Sequence, residues 1–319
     1  MPLTVPSGSG DLLAANNLSD VANAATSFSN IKQTATTSAT GVAETATLAE
    51  VNTGTDTTRY VTPQAIAENI FNRGYIFGCT LSNNGTDATN DIDIAAGICA
   101  DSASPYRMIE LGALTKRLDA AWAVGTGNGG LDTGSIANVT YHVWAIRRSD
   151  TGVADVLFSE SVSAPTMPTN YDQKRRIGSI IRSGATILGF VQDGNLFQLK
   201  ASILDVDSTN PGTSAVTRTL SVPTGINVLA RMNVAIASGL SNPACYLSDL
   251  SVNDEASSIT AAPLGQHRET GASSTSVTGV VEVRSNTSAQ IRSRLSASDS
   301  TAVLRIAMLG WWDRRGQDT

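Results

Sequence analysis

The sequence predicts a mainly β protein in which an extended, partly helical N-terminal stalk leads into antiparallel, sandwich-like β-domains. Three observations carry that prediction. Charged residues make up only 16% of the chain while Thr, Ser, Gly and Val abound, a balance that suits strands and turns better than helical bundles rich in Glu, Lys and Leu. Beyond residue 75, apolar residues alternate with polar ones in segment after segment. Before residue 58, Ala, Thr, Ser and Asn dominate, and apolar side chains are too sparse for a private core. At 319 residues the chain exceeds one ordinary core. It divides into a stalk at 1–58, a helical joint at 59–75, a first β-domain at 76–200 and a C-terminal β-domain at 201–319.

Within the stalk, Leu18, Val21, Ala25 and Phe28 recur at helical spacing and form one narrow apolar stripe, with Asn17 or Ser19 as its cap. A single short helix of this kind is not stable alone in water. The stripe therefore calls for burial, by two further copies around an axis or by docking on another protein. Residues 46–65 have the composition of an extended, solvated connector that ends in a short capped helix. That helix spans 63–71: Thr62 is the N-cap, Pro63 fits the first helical position, Ile66 and Ile70 lie one turn apart, and Gly74 stops it.

The strands follow in order. Residues 141–147 and 153–158 pair through Ser149, Asp150, Thr151 and Gly152. Residues 186–192 and 195–200 form a hairpin on Asp193-Gly194, a dipeptide suited to the primed two-residue turn. Ile226, Val228, Ala230, Met232, Val234 and Ile236 give a long strand with one buried face. Val281 and Val283, then Ile291 and Leu295, then Leu304, Ile306 and Met308 repeat the pattern and read as a closing antiparallel meander.

Composition also bounds function. A net charge of −6 argues against a nucleic-acid scaffold, which carries a basic face. No segment approaches the ~18 apolar residues of a membrane span, and residues 1–6 lack the basic and apolar regions of a signal peptide, so synthesis in a cytoplasm is expected. Cys79, Cys99 and Cys245 have no metal-ligand spacing and read as small buried residues, with a Cys79–Cys99 bridge open if their strands are neighbours. Two histidines, His142 in a strand and His267 in a loop, accompany no nucleophile elbow and no zinc cluster. The run 125–130 (GTGNGG) lacks the strand and helix of a dinucleotide fingerprint and reads as a flexible surface loop. Neither a cofactor nor a metal site is expected.

Two carboxylate pairs, Asp91 with Asp93 and Asp205 with Asp207, each lie two apart in extended stretches. Such a pair suits either a two-acid glycoside hydrolysis or a hard cation, and also abounds on ordinary strand edges. Trp122 and Trp144 sit among apolar residues and read as core. Trp311 and Trp312 are adjacent at the end of the last strand and face opposite sides, so at most one enters its own sheet's core. The other packs against a neighbouring subunit, lies on the surface as a sugar platform, or packs within its own domain.

Several of these segments resemble the tail-fibre and tail-spike proteins of tailed bacteriophages. The wording of 46–65 and the run Asn17-Leu18-Ser19-Asp20-Val21 followed by Ala22, Asn23 and Ala24 are similar to segments of that family. So are 141–148 (YHVWAIRR) with Asp150, Thr151 and Gly152 and then 155–159 (DVLFS), and 164–168 (APTMP) with Tyr171 and 175–180 (RRIGSI). The resemblance touches roughly 1–75 and 140–182 and includes no catalytic residue. It implies a non-enzymatic structural protein of the virion, an intertwined homotrimer assembled in the host cytoplasm. Its N-terminus would attach to another virion protein of tail, baseplate, collar or head, and its C-terminal β-domains would meet a glycan or protein receptor on the host. Leu18, Val21, Ala25, Phe28, Ile66, Ile70, Trp311 and Trp312 are then the candidate anchor and oligomerisation residues. The alternatives are a short tailspike that hydrolyses glycans through an acidic pair and a head or collar fibre with a purely structural role.

Overall fold

Thr47 and Glu50 open a short helix with a reciprocal capping box: each side chain accepts the other residue's backbone N–H. The computed structural model describes residues 41–69, 74–103, 106–239, 243–258, 260–264, 267–268 and 277–317, with 23, 26, 32 and 34–36. It contains two compact units, Met1–Ile70 and Phe71–Thr319.

In the first unit α1 (Leu48–Thr53) ends on Gly54, whose φ of 65° supplies the left-handed cap. This helix corrects the extended reading of 46–65; the S/T-x-x-E signature at Thr47 was its signal. α2 (Pro63–Asn69) starts as expected, with Thr62 Oγ1 accepting the Ala65 N–H at 3.1 Å. Arg59 gathers Glu44, Glu50 and Asp56 around its guanidinium and ties the capping box to the loop before α2.

Among the described residues of the second unit, every regular element is a strand. In chain order these are β1 (Ile76–Gly78), β2 (Leu81–Asn83), β3 (Asp91–Ile94), β4 (Gly97–Ala100), β5 (Met108–Leu111), β6 (Leu114–Ala121), β7 (Asn128–Leu131), β8 (Thr140–Arg147), β9 (Ala154–Ser159) and β10 (Gln173–Ser183). There follow β11 (Thr186–Ile187), β12 (Phe190–Asp193), β13 (Leu196–Thr209), β14 (Val216–Thr219), β15 (Leu229–Ala237), β16 (Ala244–Ser248), β17 (His267–Arg268), β18 (Val277–Arg284), β19 (Gln290–Leu295) and β20 (Val303–Trp312). One sheet runs β11-β10-β8-β9-β7-β6-β3-β2-β12-β13-β20-β15-β18; smaller sheets run β1-β4-β5 and β14-β19-β16-β17.

The pairing of 141–147 with 153–158 holds: β8 and β9 are antiparallel, with Val143 opposite Phe158. The hairpin of β12 and β13 slips by one residue from expectation. Asp193 pairs with Leu196, so the turn is Gly194-Asn195, with Gly194 at φ 56°. The expected closing meander is corrected more deeply. β20 inserts between β13 and β15, β18 pairs with β15, and β19 joins the small sheet beside β14 and β16. Alternation marks a strand's buried face but does not name its partner. The run 125–130 is corrected too: Gly129 and Gly130 belong to β7, parallel to β6 and β9. A Cβ on Gly130 would lie 2.8 Å from the Phe158 ring, so the glycines allow close packing.

One core joins all three sheets. It includes Cys99, Ile109 and Leu111 of the first small sheet, Leu247, Ile291 and Leu295 of the second, and Leu81, Val143, Phe158, Phe197, Met232, Ile306 and Trp311 of the large one. Position 200, the expected domain boundary, falls inside β13. β8 is buried on both faces, because Trp144 and Ile146 form a second cluster with Leu157 and Tyr171 on the far side. Trp122 packs against that cluster, its indole N–H on the Val156 carbonyl at 3.0 Å.

Candidate functional site

The end of β20 decides what the large sheet displays. Leu304, Ile306 and Met308 point into the core in strict alternation, which by itself would turn Trp312 inward and Trp311 outward. The register breaks there: Met232 pairs with Met308 and Arg231 with Gly310, leaving Leu309 as a bulge. Glycine is required next to it, since a Cβ on Gly310 would lie 2.3 Å from the Phe197 carbonyl oxygen. The extra residue flips the strand by one position. Trp311 is therefore buried and stacks on Phe197, with centroids 5.5 Å apart and planes 4° from parallel. Its indole Nε1 is buried without a hydrogen-bond partner among the described residues. Trp312 emerges with 39% of its surface exposed.

Two parallel rows meet at that ring. Leu196, Trp312 and Leu229 are cross-strand neighbours on β13, β20 and β15, with Arg284 of β18 at the end. The next row on the same face holds Gln198, Gly310, Arg231 and Glu282. Trp312 Nε1 donates to Glu282 Oε1 at 3.1 Å, Arg231 Nε lies 3.8 Å from the same oxygen, and Arg231 Nη1 donates to Gln198 Oε1 at 2.9 Å. Gln198 in turn donates to the bulged Leu309 carbonyl. The ring is held from one side by a connected polar network and flanked by leucines on the other axis.

Of the two carboxylate pairs, three members have side-chain or backbone partners, while Asp91 Oδ1 is buried without one among the described residues. Asp91 and Asp93 share the face expected for them, but of the two only Asp93 borders the open groove of about 410 Å³, whose lining mixes Thr80, Ser82, Thr115 and Thr126 with apolar Ile94 and Leu114. Asp93 Oδ1 accepts from Thr115 Oγ1 at 2.6 Å and Asn84 Nδ2 at 2.8 Å. Burial, then repulsion from Asp87 and Asp119, raises the Asp91 pKa above its ordinary value. Asp205 accepts the Ser221 N–H and hydroxyl at 2.6 and 2.7 Å, while Asp207 pairs with Arg305 at 3.0 Å. Among the described residues no group of three His, Cys, Asp or Glu side chains is arranged to hold a metal.

His142 is buried and meets Ser179 Oγ at 2.9 Å through Nδ1. Arg176 Nη1 donates to the same hydroxyl at 2.9 Å, and Asp313 grips Arg176 at 2.6 and 2.7 Å. Asp313, Arg176, Ser179 and His142 thus form a chain in which the acid holds the arginine and not the imidazole. That order does not prepare a hydroxyl for attack. Burial and then Arg176 push the His142 pKa down to about 4, which keeps the ring neutral. His267, expected in a loop, instead pairs with Cys245 in the short strand β17.

The three cysteines are buried free thiols. Cys79 and Cys99 touch, with the Cys99 hydrogen bond lowering the Cys79 pKa and raising that of Cys99. Burial pushes Cys245 up to about 12.

Among the sequence-derived anchor residues, Leu18, Val21, Ala25, Phe28 and Ile70 lie outside the described residues, and Ile66 is exposed. Two buried ion pairs had no place in the sequence reading: Arg176–Asp313, and Lys116–Asp155 at 2.9 Å. Lys116 carried a signal, since it holds the position between Leu114 and Leu118 where a strand turns inward. Its ammonium also donates to the Ala123 and Gly125 carbonyls and lies 5.3 Å from the Trp122 ring. Among the described residues no helix is long and apolar enough to cross a membrane. No protein-family model and no curated protein matches the chain.

Proposed function

We propose that this chain is a fibre or spike protein of a tailed bacteriophage. It is a homotrimer that attaches to the particle through residues 1–58 and adheres to the host surface through its β-rich unit. The observation that carries the reading is the fibre-like wording of 46–65 and 141–180, the latter falling in β8, β9 and β10 near one end of the large sheet. Asp205 and Asp207 are committed to Ser221 and Arg305, and Asp93 to Thr115 and Asn84, which leaves Asp91 alone without a side-chain partner among the described residues and favours adhesion over a two-acid glycan hydrolysis. Three identical weak sites on one particle gain avidity for a repetitive surface.

Light scattering on the full chain tests the assembly, with an expected mass three times the 33.1 kDa chain. Antibody against residues 277–317, followed by gold labelling of intact particles, tests the location. A monomer at micromolar concentration, or particles without label, would overturn the reading.

A further inference from the structure

Leu196, Trp312 and Leu229 form an apolar shelf three strands wide, about 10 Å from end to end at the ordinary strand spacing. The parallel row of Gln198, Arg231 and Glu282 lies two residues along each strand, about 6–7 Å away. Gly310 leaves the centre of that second row without a side chain, directly next to the Trp312 ring. The Trp312 N–H is already bound by Glu282, so what the exposed indole has left to offer an incoming group is its apolar ring surface. The charges nearby are matched in place: Arg231 faces Glu282 at 3.8 Å, and Arg284 meets Asp249 at 3.0 Å.

From this juxtaposition we propose that the Trp312 shelf is a binding site for a neutral hexopyranose unit of a surface polysaccharide. The sugar's C–H face stacks on Trp312, and its equatorial hydroxyls reach Gln198, Arg231 and Glu282. A pyranose has the same division as the site, one apolar face with polar groups around the rim. The internal neutralisation of both arginines selects against acidic sugars, which need an unmatched cation. This assignment rests on the adhesive reading above and names the site that performs it.

The test uses the full chain on an array of purified bacterial surface polysaccharides, neutral and acidic, with oligomeric mass measured on the same samples. The parent is expected to be retained on neutral members. Trp312→Ala should weaken retention about tenfold or more, Trp312→Phe should recover part of the loss, and the mass of the assembly should stay unchanged. Equal retention of Trp312→Ala and parent would overturn the site and leave the adhesive reading standing. Retention only on acidic polysaccharides would overturn the assignment of ligand. Dissociation of the assembly by Trp312→Ala would make the shelf a subunit interface and overturn the proposal. A parent retained on no polysaccharide would overturn the glycan site whatever the outcome of particle labelling.

Discussion

Arg176 and Asp313 close on one another through two hydrogen bonds of 2.6 and 2.7 Å, across 137 positions of sequence. Both are buried, and burial alone would raise the Asp313 pKa; the guanidinium overrides this and holds it below the usual carboxylate range. Removing one partner leaves the other as an uncompensated buried charge. Asp313→Ala is expected to cost about 3–5 kcal/mol, whereas the apolar pair Arg176→Met with Asp313→Leu should lose markedly less. Urea midpoints of the three proteins check this; equal losses in single and double variants would contradict it.

His142 gives the fold an acid-sensitive window. Its pKa falls from 6.5 in the unfolded chain to about 4 in the folded one, so between those values the unfolded state binds the extra proton. Stability from this group is fully present above pH 6.5, declines as pH drops toward 4, and falls no further below that. The total is on the order of 3 kcal/mol. His142→Gln should flatten the stability profile between pH 4 and 6.5 relative to the parent. Parallel profiles would show that the ring titrates normally.

The adjacent tryptophans should separate cleanly in stability. Trp311→Ala removes a ring buried against Phe197 and is expected to cost ~3–5 kcal/mol. Trp312→Ala removes a partly exposed ring and should cost no more than about 1 kcal/mol. Thermal melts of the two variants decide it. A larger loss at Trp312 would mean that the bulge at Leu309 is misplaced.

Lys116→Met strands the Asp155 carboxylate, which is buried and also accepts the Gly125 N–H at 2.8 Å. A loss of about 3–5 kcal/mol is expected. Amide exchange at Gly125 should accelerate beyond the global effect, because Lys116 also holds the Ala123 and Gly125 carbonyls. Uniform acceleration across the unit would show that Lys116 does not specifically secure this loop.

How much of this was legible follows from what local pattern encodes. Met232, Val234 and Ile236, like Leu304 and Ile306, announced their buried faces because alternation is a property of one strand. That β20 separates β13 from β15 is a property of three strands far apart in sequence, and no single strand records it. The Trp312 shelf was half legible: the pair had to split across the sheet, but which ring went outward depended on a bulge that needs a partner strand to exist. The Arg176–Asp313 pair left no local trace, since each residue stands where a surface charge would also stand. Lys116 did leave one, a charge in the inward phase of an apolar strand.

The insertion of β20 between β13 and β15 also bears on how the protein is made. Arg315 donates to carbonyls at Ile177, Gly78 and Cys79, the last of these 236 positions upstream. While the ribosome is still translating residues 238–302, the flanks of β13 and β15 wait unsealed, two open strand edges on a nascent chain with much of its apolar surface already synthesised. This half of the sheet cannot close before β20 is made, and contacts of such span form slowly. Yield in a cell is then governed by competition between closure and aggregation during that interval. Weaker induction at lower temperature, which leaves fewer open chains to meet and weakens their apolar association, should raise the soluble fraction, even though the finished protein gains nothing from it.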